Sequence, residues 1–263
     1  MLFSLKGKNA LVTGAAQGVG LAVTKRFLDA EIDHVVMLDL NGELGQKEAD
    51  KLGDRVEFYQ LDVTDEKAVI KMMDYVKGKY GKVDIVSNNA GVIFADTKIE
   101  DLSVAEMQKC INVNYIGYFM MIKYALPLMP DFSSIVNICS IAGIHAFPGY
   151  TSYNGSKGAI KLLTESVALE LADRGIRCNA ISPASISGPM VEQPGCEAEL
   201  AMAKYLPPLG RLCEPEEVAA AVHFLASDDT KFITAVNLPV DGGVTGVCYG
   251  RNTERKLLED LDL

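Results

Sequence analysis

The sequence has no cluster of lysine and arginine residues, and its formal net charge at pH 7 is −10. Proteins that bind the phosphate backbone of nucleic acids gather basic side chains on one face. The composition therefore argues against nucleic-acid binding, and the partner that we expect is a small-molecule substrate.

Cysteine pairs of the C-x-x-C type are also missing, although the chain contains six cysteines. Scattered cysteines in a chain of this length are typical of reduced, buried thiols and not of a disulfide framework. We expect neither disulfides nor a metal site.

A secretory signal and an unbroken apolar run of membrane-spanning length are missing as well. The first ten residues lack a long apolar core and a cleavage site. The most apolar stretch, residues 110–129, is interrupted by Asn112, Asn114 and Lys123 and contains Pro127. A helix buried in protein or at a subunit contact tolerates these residues better than a membrane span does. We expect a soluble, cytoplasmic protein without membrane contact.

What the chain does contain is a regular alternation of short β-branched runs and longer helical patterns. Strands are predicted at residues 9–12, 34–38, 56–59, 83–87, 134–138, 177–181 and 236–240. Helices are predicted near 18–30, 43–52, 66–79, 103–129, 150–172 and 215–226. This order predicts the α/β class: a doubly wound parallel sheet of Rossmann type, with about seven strands and helices on both faces. Because no linker, repeat or low-complexity tract occurs, we expect one domain over residues 1–263.

A glycine-rich segment, T-G-A-A-Q-G-V-G from Thr13 to Gly20, follows the first predicted strand and opens the first helix. Gly14 permits a tight turn there, Gly18 lets the backbone approach a phosphate, and Gly20 lets the helix pack closely on the sheet. The amino end of the helix presents free N–H groups to a pyrophosphate. The segment predicts a dinucleotide site.

Asp39 ends the second predicted strand, where a carboxylate can accept both hydroxyls of an adenosine ribose. The same charge repels a 2′-phosphate, and neither Gln17 nor Leu40 supplies a cation to offset that repulsion. We therefore expect NAD in preference to NADP. At the end of the third strand, the candidate cofactor contacts are Asp62 and Val63. At the end of the fourth strand, an N-N-A-G run supplies the candidates Asn89, Ala90 and Gly91.

Three further residues are candidate catalytic residues. Tyr153 and Lys157 are four residues apart and lie on one face of a predicted helix, and Ser140 follows the fifth strand. A free tyrosine has a pKa near 10, and lowering it by about three units takes roughly 4 kcal/mol. A neighbouring ammonium and a cationic nicotinamide supply energy of that order, while Ser140 donates a hydrogen bond to the substrate oxygen. The set predicts hydride chemistry on an alcohol or a carbonyl.

Together these motifs resemble the short-chain dehydrogenase/reductase family, in its short single-domain branch, from about residue 5 to 243. The resemblance rests on the glycine-rich segment, Asp62, N-N-A-G, Val113-Asn114, Ser140, Y-N-G-S-K from Tyr153, P-A-S-I-S-G-P-M from Pro183, and the D-G-G run at 241–243.

The resemblance implies a role for each residue. Tyr153 would be the general acid/base, and Lys157 would bind the nicotinamide ribose and lower the pKa of Tyr153. Ser140 would position the substrate, and Asn114 would hold a water in a proton relay. The further cofactor contacts implied are Val19, Pro183, Ile186 and Ser187. Ala184 and Ala235 depart from the pattern, because the family usually has glycine there.

The walls of the reaction site are expected from residues 92–95, residues 141–150 and a lid near 188–208. These segments are mostly apolar, and the charges of the lid are mainly acidic. The candidate substrate contacts are Ser140, His145, Phe147, Tyr150 and Met190. We therefore expect a largely neutral, hydrophobic secondary alcohol or its ketone.

Two other functions stay open: a cofactor-sensing scaffold without turnover, and a relative that isomerises or cyclises its substrate while NAD stays bound. The helices predicted at 103–129 and 150–172 carry more apolar surface than one sheet face needs. In the family that the chain resembles, the matching helices pack between subunits, which implies a homotetramer or homodimer. For the tail, about residues 244–263, two expectations stay open: a short helix that docks on a neighbour, or a frayed end.

Overall fold

A computed structural model describes residues 2–95, 97–192 and 206–246 of the chain. Over these residues, seven parallel strands form one sheet in the order β3-β2-β1-β4-β5-β6-β7. The strands are β1 Asn9–Thr13, β2 His34–Asp39, β3 Val56–Gln60, β4 Ile85–Asn88, β5 Ser134–Ile138, β6 Arg177–Pro183 and β7 Asn237–Val240. The predicted doubly wound sheet is confirmed, and each predicted strand agrees with the observed one to within two residues.

The central strands are buried along their whole length. Every residue of β5 and β6 is buried, because helices cover both faces of the sheet. On one face the core includes Phe27 and Val222, and on the other it includes Met72 and Met121. This packing fixes the strand ends at which the site is built.

The helices of the described residues alternate with the strands. They are α1 Gly18–Asp29, α2 Gly42–Leu52, α3 Glu66–Tyr80, α4 Val104–Ile111, α5 Gly117–Ala125, α6 Thr151–Glu170 and α7 Pro215–Ala226. Side chains cap several of the amino ends. Asp65 accepts hydrogen bonds from the N–H groups of Lys67 and Ala68, and Ser103 forms a reciprocal capping box with Glu106.

The single helix predicted over 103–129 is interrupted. A wider π-helical turn, Asn112–Ile116, separates α4 from α5, and a 3₁₀ turn, Leu126–Leu128, follows α5. A π-helical turn holds one residue more than an α-helical turn, and such turns often occur at functional sites. None of the helices in the described ranges is long and apolar enough to cross a membrane.

Candidate active site

A cavity of about 730 Å³ opens where β1 to β6 end. Parallel strands of a doubly wound sheet bring their carboxyl ends to one edge, where ligands of such sheets bind. Residues after each of these six strands line the cavity, from Gly14 after β1 to Ile186 after β6. The predicted site residues therefore come from separate parts of the sequence to one place.

The glycine-rich segment forms one end of this cavity, with Gly14, Gln17, Gly18 and Val19 in its lining. Gly20 does not line the cavity. It packs against the turn instead, since a Cβ atom built on it would lie 2.2 Å from the carbonyl oxygen of Gly14. Gly18 has a φ of +55°, and a Cβ atom there would meet no atom within 4 Å. The backbone at Gly18 thus faces open space at the amino end of α1.

The N-N-A-G run braces this turn from β4. The backbone N–H groups of Asn89 and Ala90 donate to the Thr13 hydroxyl oxygen at 2.8 and 3.0 Å. The Asn89 side-chain amide donates to the carbonyl oxygen of Gly14 at 3.1 Å. Ala90 and Gly91 lie beside Asn89 in the cavity lining. The ends of β1 and β4 are therefore tied to each other by main-chain and amide groups.

Asp39 and Asp62 line the same end of the cavity. The Asp39 carboxylate accepts hydrogen bonds from the N–H groups of Ala16 at 3.0 Å and Asn41 at 2.9 Å. Asp62 accepts from the N–H group and the hydroxyl of Thr64. Leu40 and Val63 also line the cavity. This end of the cavity fits a dinucleotide. It offers open space next to Gly18, the amino end of a helix, and a carboxylate at the end of β2.

Ser140 lies in the cavity at the end of β5. Its buried side chain follows β5, and its Oγ accepts a hydrogen bond from the Ala142 N–H at 3.1 Å. That bond fixes the oxygen of the hydroxyl, which can donate its own proton to a ligand oxygen. Ser140 lines the cavity together with Tyr153 and Lys157.

Tyr153 and Lys157 lie in the first two turns of α6, and both are buried. The Lys157 Nζ donates to the carbonyl oxygen of Ile138 at 2.8 Å and lies 5.6 Å from the ring centroid of Tyr153. Burial lowers the pKa of Lys157 to about 8, and the nearby thiols of Cys139 and Cys110 oppose that effect. The lysine is thus held at a fixed place beside the phenol.

Asn114 lies behind the cavity, in the π-helical turn, and is buried. Its Oδ1 accepts from the Val92 N–H at 2.8 Å, and its Nδ2 donates to the Val92 carbonyl and the Ser156 hydroxyl, each at 2.9 Å. Its side chain therefore joins the loop after β4 to α6. These contacts give a physical reason for the interrupted helix, because the extra residue lets Asn114 reach both elements.

The structure brings Phe147, Tyr150 and Met190 into the cavity lining, with Pro183 and Ile186. His145 is exposed and does not line the cavity. Ser187 also lies outside the lining, and its hydroxyl donates to the Glu214 carboxylate. Of the lid expected near 188–208, residues 193–205 lie outside the described residues, as do residues 247–263 of the expected tail.

One face of the cavity was not predicted. It comes from α4 and the π-helical turn, through Ala105, Gln108, Lys109 and Asn112. Their spacing of three, four and seven residues from the first is that of one helix face. The spacing was available in the sequence, but it gives no sign that this face borders a cavity.

The two departures from glycine differ in conformation. Ala235 has a φ of +59°, in the left-handed region that favours glycine, whereas Ala184 does not have a positive φ. Ala184 lines the cavity, and its N–H donates to the Val240 carbonyl at 3.2 Å. The methyl group of Ala184 is therefore accommodated without backbone strain.

Comparison with known proteins agrees with this geometry. Residues 14–245 match the family model described as enoyl-(acyl carrier protein) reductase. The chain belongs to the short-chain dehydrogenase/reductase family. Members of this family are oxidoreductases that use a nicotinamide cofactor and act on small molecules.

Two relatives are examples of the proteins to which this short-chain dehydrogenase/reductase is similar in sequence. A 3-oxoacyl-[acyl-carrier-protein] reductase of Thermotoga maritima is 38% identical over 246 residues, covering 91% of this chain and 98% of the relative. An NADP-dependent (R)-specific alcohol dehydrogenase of Lentilactobacillus kefiri is 35% identical over 248 residues, covering 92% and 98%.

Among solved structures, the aldohexose dehydrogenase of Thermoplasma acidophilum in ligand-free form superposes with a TM-score of 0.83. It is 34% identical in sequence, and the match covers 93% of this chain and 96% of that chain. The sheet and its helices are thus those of a short-chain dehydrogenase/reductase.

Proposed function

We propose that this protein is an NAD-dependent oxidoreductase that interconverts a largely neutral, hydrophobic secondary alcohol and its ketone. One observation carries the proposal. Ser140, Tyr153 and Lys157 line the same cavity as the glycine-rich segment and Asp39. A bound dinucleotide and a substrate oxygen would therefore meet in one site.

Each residue of the set has a chemical role in this proposal. A bound nicotinamide supplies the acceptor for the hydride that leaves the carbinol carbon. Tyr153 takes the proton of the substrate hydroxyl, and Ser140 donates a hydrogen bond to the same oxygen. Lys157 in its ammonium form stabilises the phenolate of Tyr153 and so lowers the pKa of that side chain. Asn114 holds the loop after β4 against α6 and keeps Tyr153 and Lys157 in place.

The preference for NAD rests on Asp39. Its carboxylate lines the cavity at the end of β2, where an adenosine ribose would lie. A 2′-phosphate at this position would meet a negative charge. Because one relative carries NADP in its name, family membership alone does not choose between the two cofactors.

The nature of the substrate is inferred from the other end of the cavity. The apolar residues in its described walls include Phe147, Tyr150, Met190 and Val191. The described lining includes no arginine, which is the side chain best suited to bind a carboxylate. An apolar wall with few charges favours a neutral, hydrophobic substrate.

We also propose assembly into a homotetramer or homodimer. Large apolar side chains are exposed on α4, α5 and α6, among them Val104, Phe119, Leu162 and Leu169. Leu162 and Leu169 are seven residues apart and so share one face of α6. Exposed apolar surface of this kind is typical of a subunit contact. Sedimentation equilibrium tests it, and a monomer at micromolar concentration contradicts it.

The experiment that tests the function is absorbance at 340 nm with NAD and NADP in separate assays. The alcohol panel contains secondary alcohols, sterols, polyols and hydroxy acids, and the ketones are tested in reverse. We expect NADH from neutral secondary alcohols. Fastest turnover of carboxylate-bearing substrates would contradict the proposed substrate class. Tight NAD binding without any absorbance change would favour a cofactor sensor, an isomerase or a cyclase.

A further inference from the structure

The wall of the substrate pocket contains a turn whose sequence explains its shape. Residues Phe147-Pro148-Gly149-Tyr150 place proline second and glycine third, and Gly149 has a φ of +80°. The Tyr150 N–H donates back to the Phe147 carbonyl at 3.4 Å. This is the pattern of a type II turn, which needs a positive φ at its third residue. The turn presents both of its aromatic ends, Phe147 and Tyr150, to the cavity.

The side chain of Asn154 hydrogen-bonds this turn to α6. The Asn154 Nδ2 donates to the Phe147 carbonyl at 2.9 Å, and the Asn154 Oδ1 accepts from the Phe147 N–H at 3.5 Å. We call these two bonds the Asn154 clamp. Asn154 directly follows Tyr153, and its own N–H donates to the Tyr150 carbonyl at 2.8 Å as part of α6. The clamp thus connects the pocket wall to the residue beside the catalytic phenol.

Apolar packing supports this segment as well, because Phe147 and Tyr150 pack against a buried cluster that includes Tyr153. Four of its residues, Ile144, His145, Ala146 and Pro148, are nevertheless exposed. One main-chain bond, from the Thr97 N–H to the Gly149 carbonyl at 3.1 Å, supports the turn from the loop after β4. Asn154 adds to this packing the two side-chain hydrogen bonds that join the Phe147 backbone to α6.

We propose that Asn154 is a positioning residue that determines which alcohols the enzyme accepts, by fixing the Phe147 wall relative to Tyr153. This inference rests on the proposed dehydrogenase function. A small alcohol contacts Ser140 and Tyr153 without reaching Phe147, so it does not depend on the clamp. A bulky aromatic or alicyclic alcohol packs on the wall and loses binding when the wall moves.

The test compares Asn154→Ala with the wild type on 2-propanol and on 1-phenylethanol, with NAD saturating. We expect KM for 1-phenylethanol to rise about tenfold, while KM for 2-propanol, kcat for both alcohols and the dissociation constant of NAD stay within about twofold. Asn154→Asp keeps an acceptor for the Phe147 N–H and loses the donor to its carbonyl. Because the donor bond is the shorter one, we expect Asn154→Asp to resemble Asn154→Ala.

Asn9→Ala is the matched control, since it removes an asparagine-to-carbonyl bond at the opposite end of the sheet. It should leave both KM values unchanged. Equal effects of Asn154→Ala on the two alcohols, or an unchanged KM for 1-phenylethanol, would overturn the inference.

A second measurement separates this inference from the proposed function. Hydrogen exchange followed by mass spectrometry should show faster exchange over residues 144–152 in Asn154→Ala and not in Asn9→Ala. If the wild type turns over no alcohol, the proposed function fails. Unchanged exchange in this segment would then refute the clamp on its own.

Discussion

The two ends of the cavity are built in different ways. At the cofactor end, main-chain groups and short polar side chains hold the turns after β1, β2 and β4. For example, the Asn89 side chain donates to the Gly14 carbonyl, and the Asp39 carboxylate accepts from the Ala16 N–H. At the substrate end, part of the described wall is a loop that the Asn154 clamp hydrogen-bonds to α6. A dinucleotide needs a fixed backbone shape, whereas substrate choice depends on side chains that loops carry. The difference predicts separable effects of substitution on the two ends.

The largest expected effect comes from Tyr153→Phe, which keeps the ring and removes the hydroxyl that we propose as the general acid/base. We expect kcat to fall by about 10³-fold. The dissociation constant of NAD, measured by calorimetry, should stay within about threefold of the wild-type value, because the cofactor end is intact.

Tyr150→Phe is the matched control for this change. It removes a hydroxyl from another tyrosine in the same cavity lining, and we expect kcat to fall by less than about tenfold. Comparable kcat in wild type and Tyr153→Phe would refute the acid/base role, and the substrate end would then lack an identified proton carrier.

Lys157 lies where the two ends meet, and its burial gives a test by pH. The pKa of this lysine falls from 10.5 to about 8 on folding. Between these values the unfolded chain binds more protons than the folded one, so the lysine's contribution to stability rises with pH. Relative to Lys157→Met, the unfolding free energy of the cofactor-free wild type should increase by up to ~3 kcal/mol from pH 7 to pH 10.5.

Denaturant unfolding at a series of pH values measures this difference. Lys161→Met serves as the control, since Lys161 lies one turn further along α6 in a partly buried ion pair with Glu165. Its difference from wild type should change little over the same pH range. A flat difference for Lys157→Met would mean that the ammonium is retained in the folded state at pH 10.5.

A smaller effect is expected at the cofactor end, from Asp39→Asn. This change removes the negative charge and keeps one acceptor oxygen, which can serve the N–H group of either Ala16 or Asn41 but not both. We expect the ratio of kcat/KM for NADP to that for NAD to rise by about tenfold, which corresponds to about 1.4 kcal/mol. KM for the alcohol should not change. An unchanged cofactor ratio would place the discrimination at another residue.

The difference between the cofactor end and the substrate end also explains how much could be predicted from the sequence. The sheet and the cofactor end follow from local patterns: apolar runs mark the strands, and the glycines of the Thr13–Gly20 segment specify a turn and a close approach. The positions of Ser140, Tyr153 and Lys157 in one cavity follow from the topology of parallel strands. These expectations needed no contact between distant side chains.

The remaining features depend on such contacts. The π-helical turn exists where Asn114 binds Val92, 22 residues away, and no local pattern marks that partner. The Asn154 clamp joins residues seven apart across a loop and a helix start. The lowered pKa of Lys157 arises from burial among elements that only the folded chain assembles. Sequence patterns thus predict the scaffold better than the groups that adjust it.

The smallest expected effect concerns the two alanines at usual glycine positions. Ala235 has a left-handed φ of +59° and Ala184 does not have a positive φ. Glycine relieves strain of roughly 1–2 kcal/mol at the first position but adds about 0.5–1 kcal/mol of unfolded-state entropy at both. Ala235→Gly should therefore stabilise the protein by up to about 1 kcal/mol, and Ala184→Gly should destabilise it by about 0.5–1 kcal/mol.

Thermal unfolding of both variants, with kcat/KM for one alcohol, sharpens the contrast between scaffold and cavity. Ala235 does not line the cavity, so its replacement should leave kcat/KM within about twofold. Ala184 does line the cavity, and loss of its methyl group should change KM for bulky alcohols more than for small ones. Because backbone strain predicts opposite signs for the two stability changes, shifts in the same direction would show that the φ of Ala235 is not a source of strain.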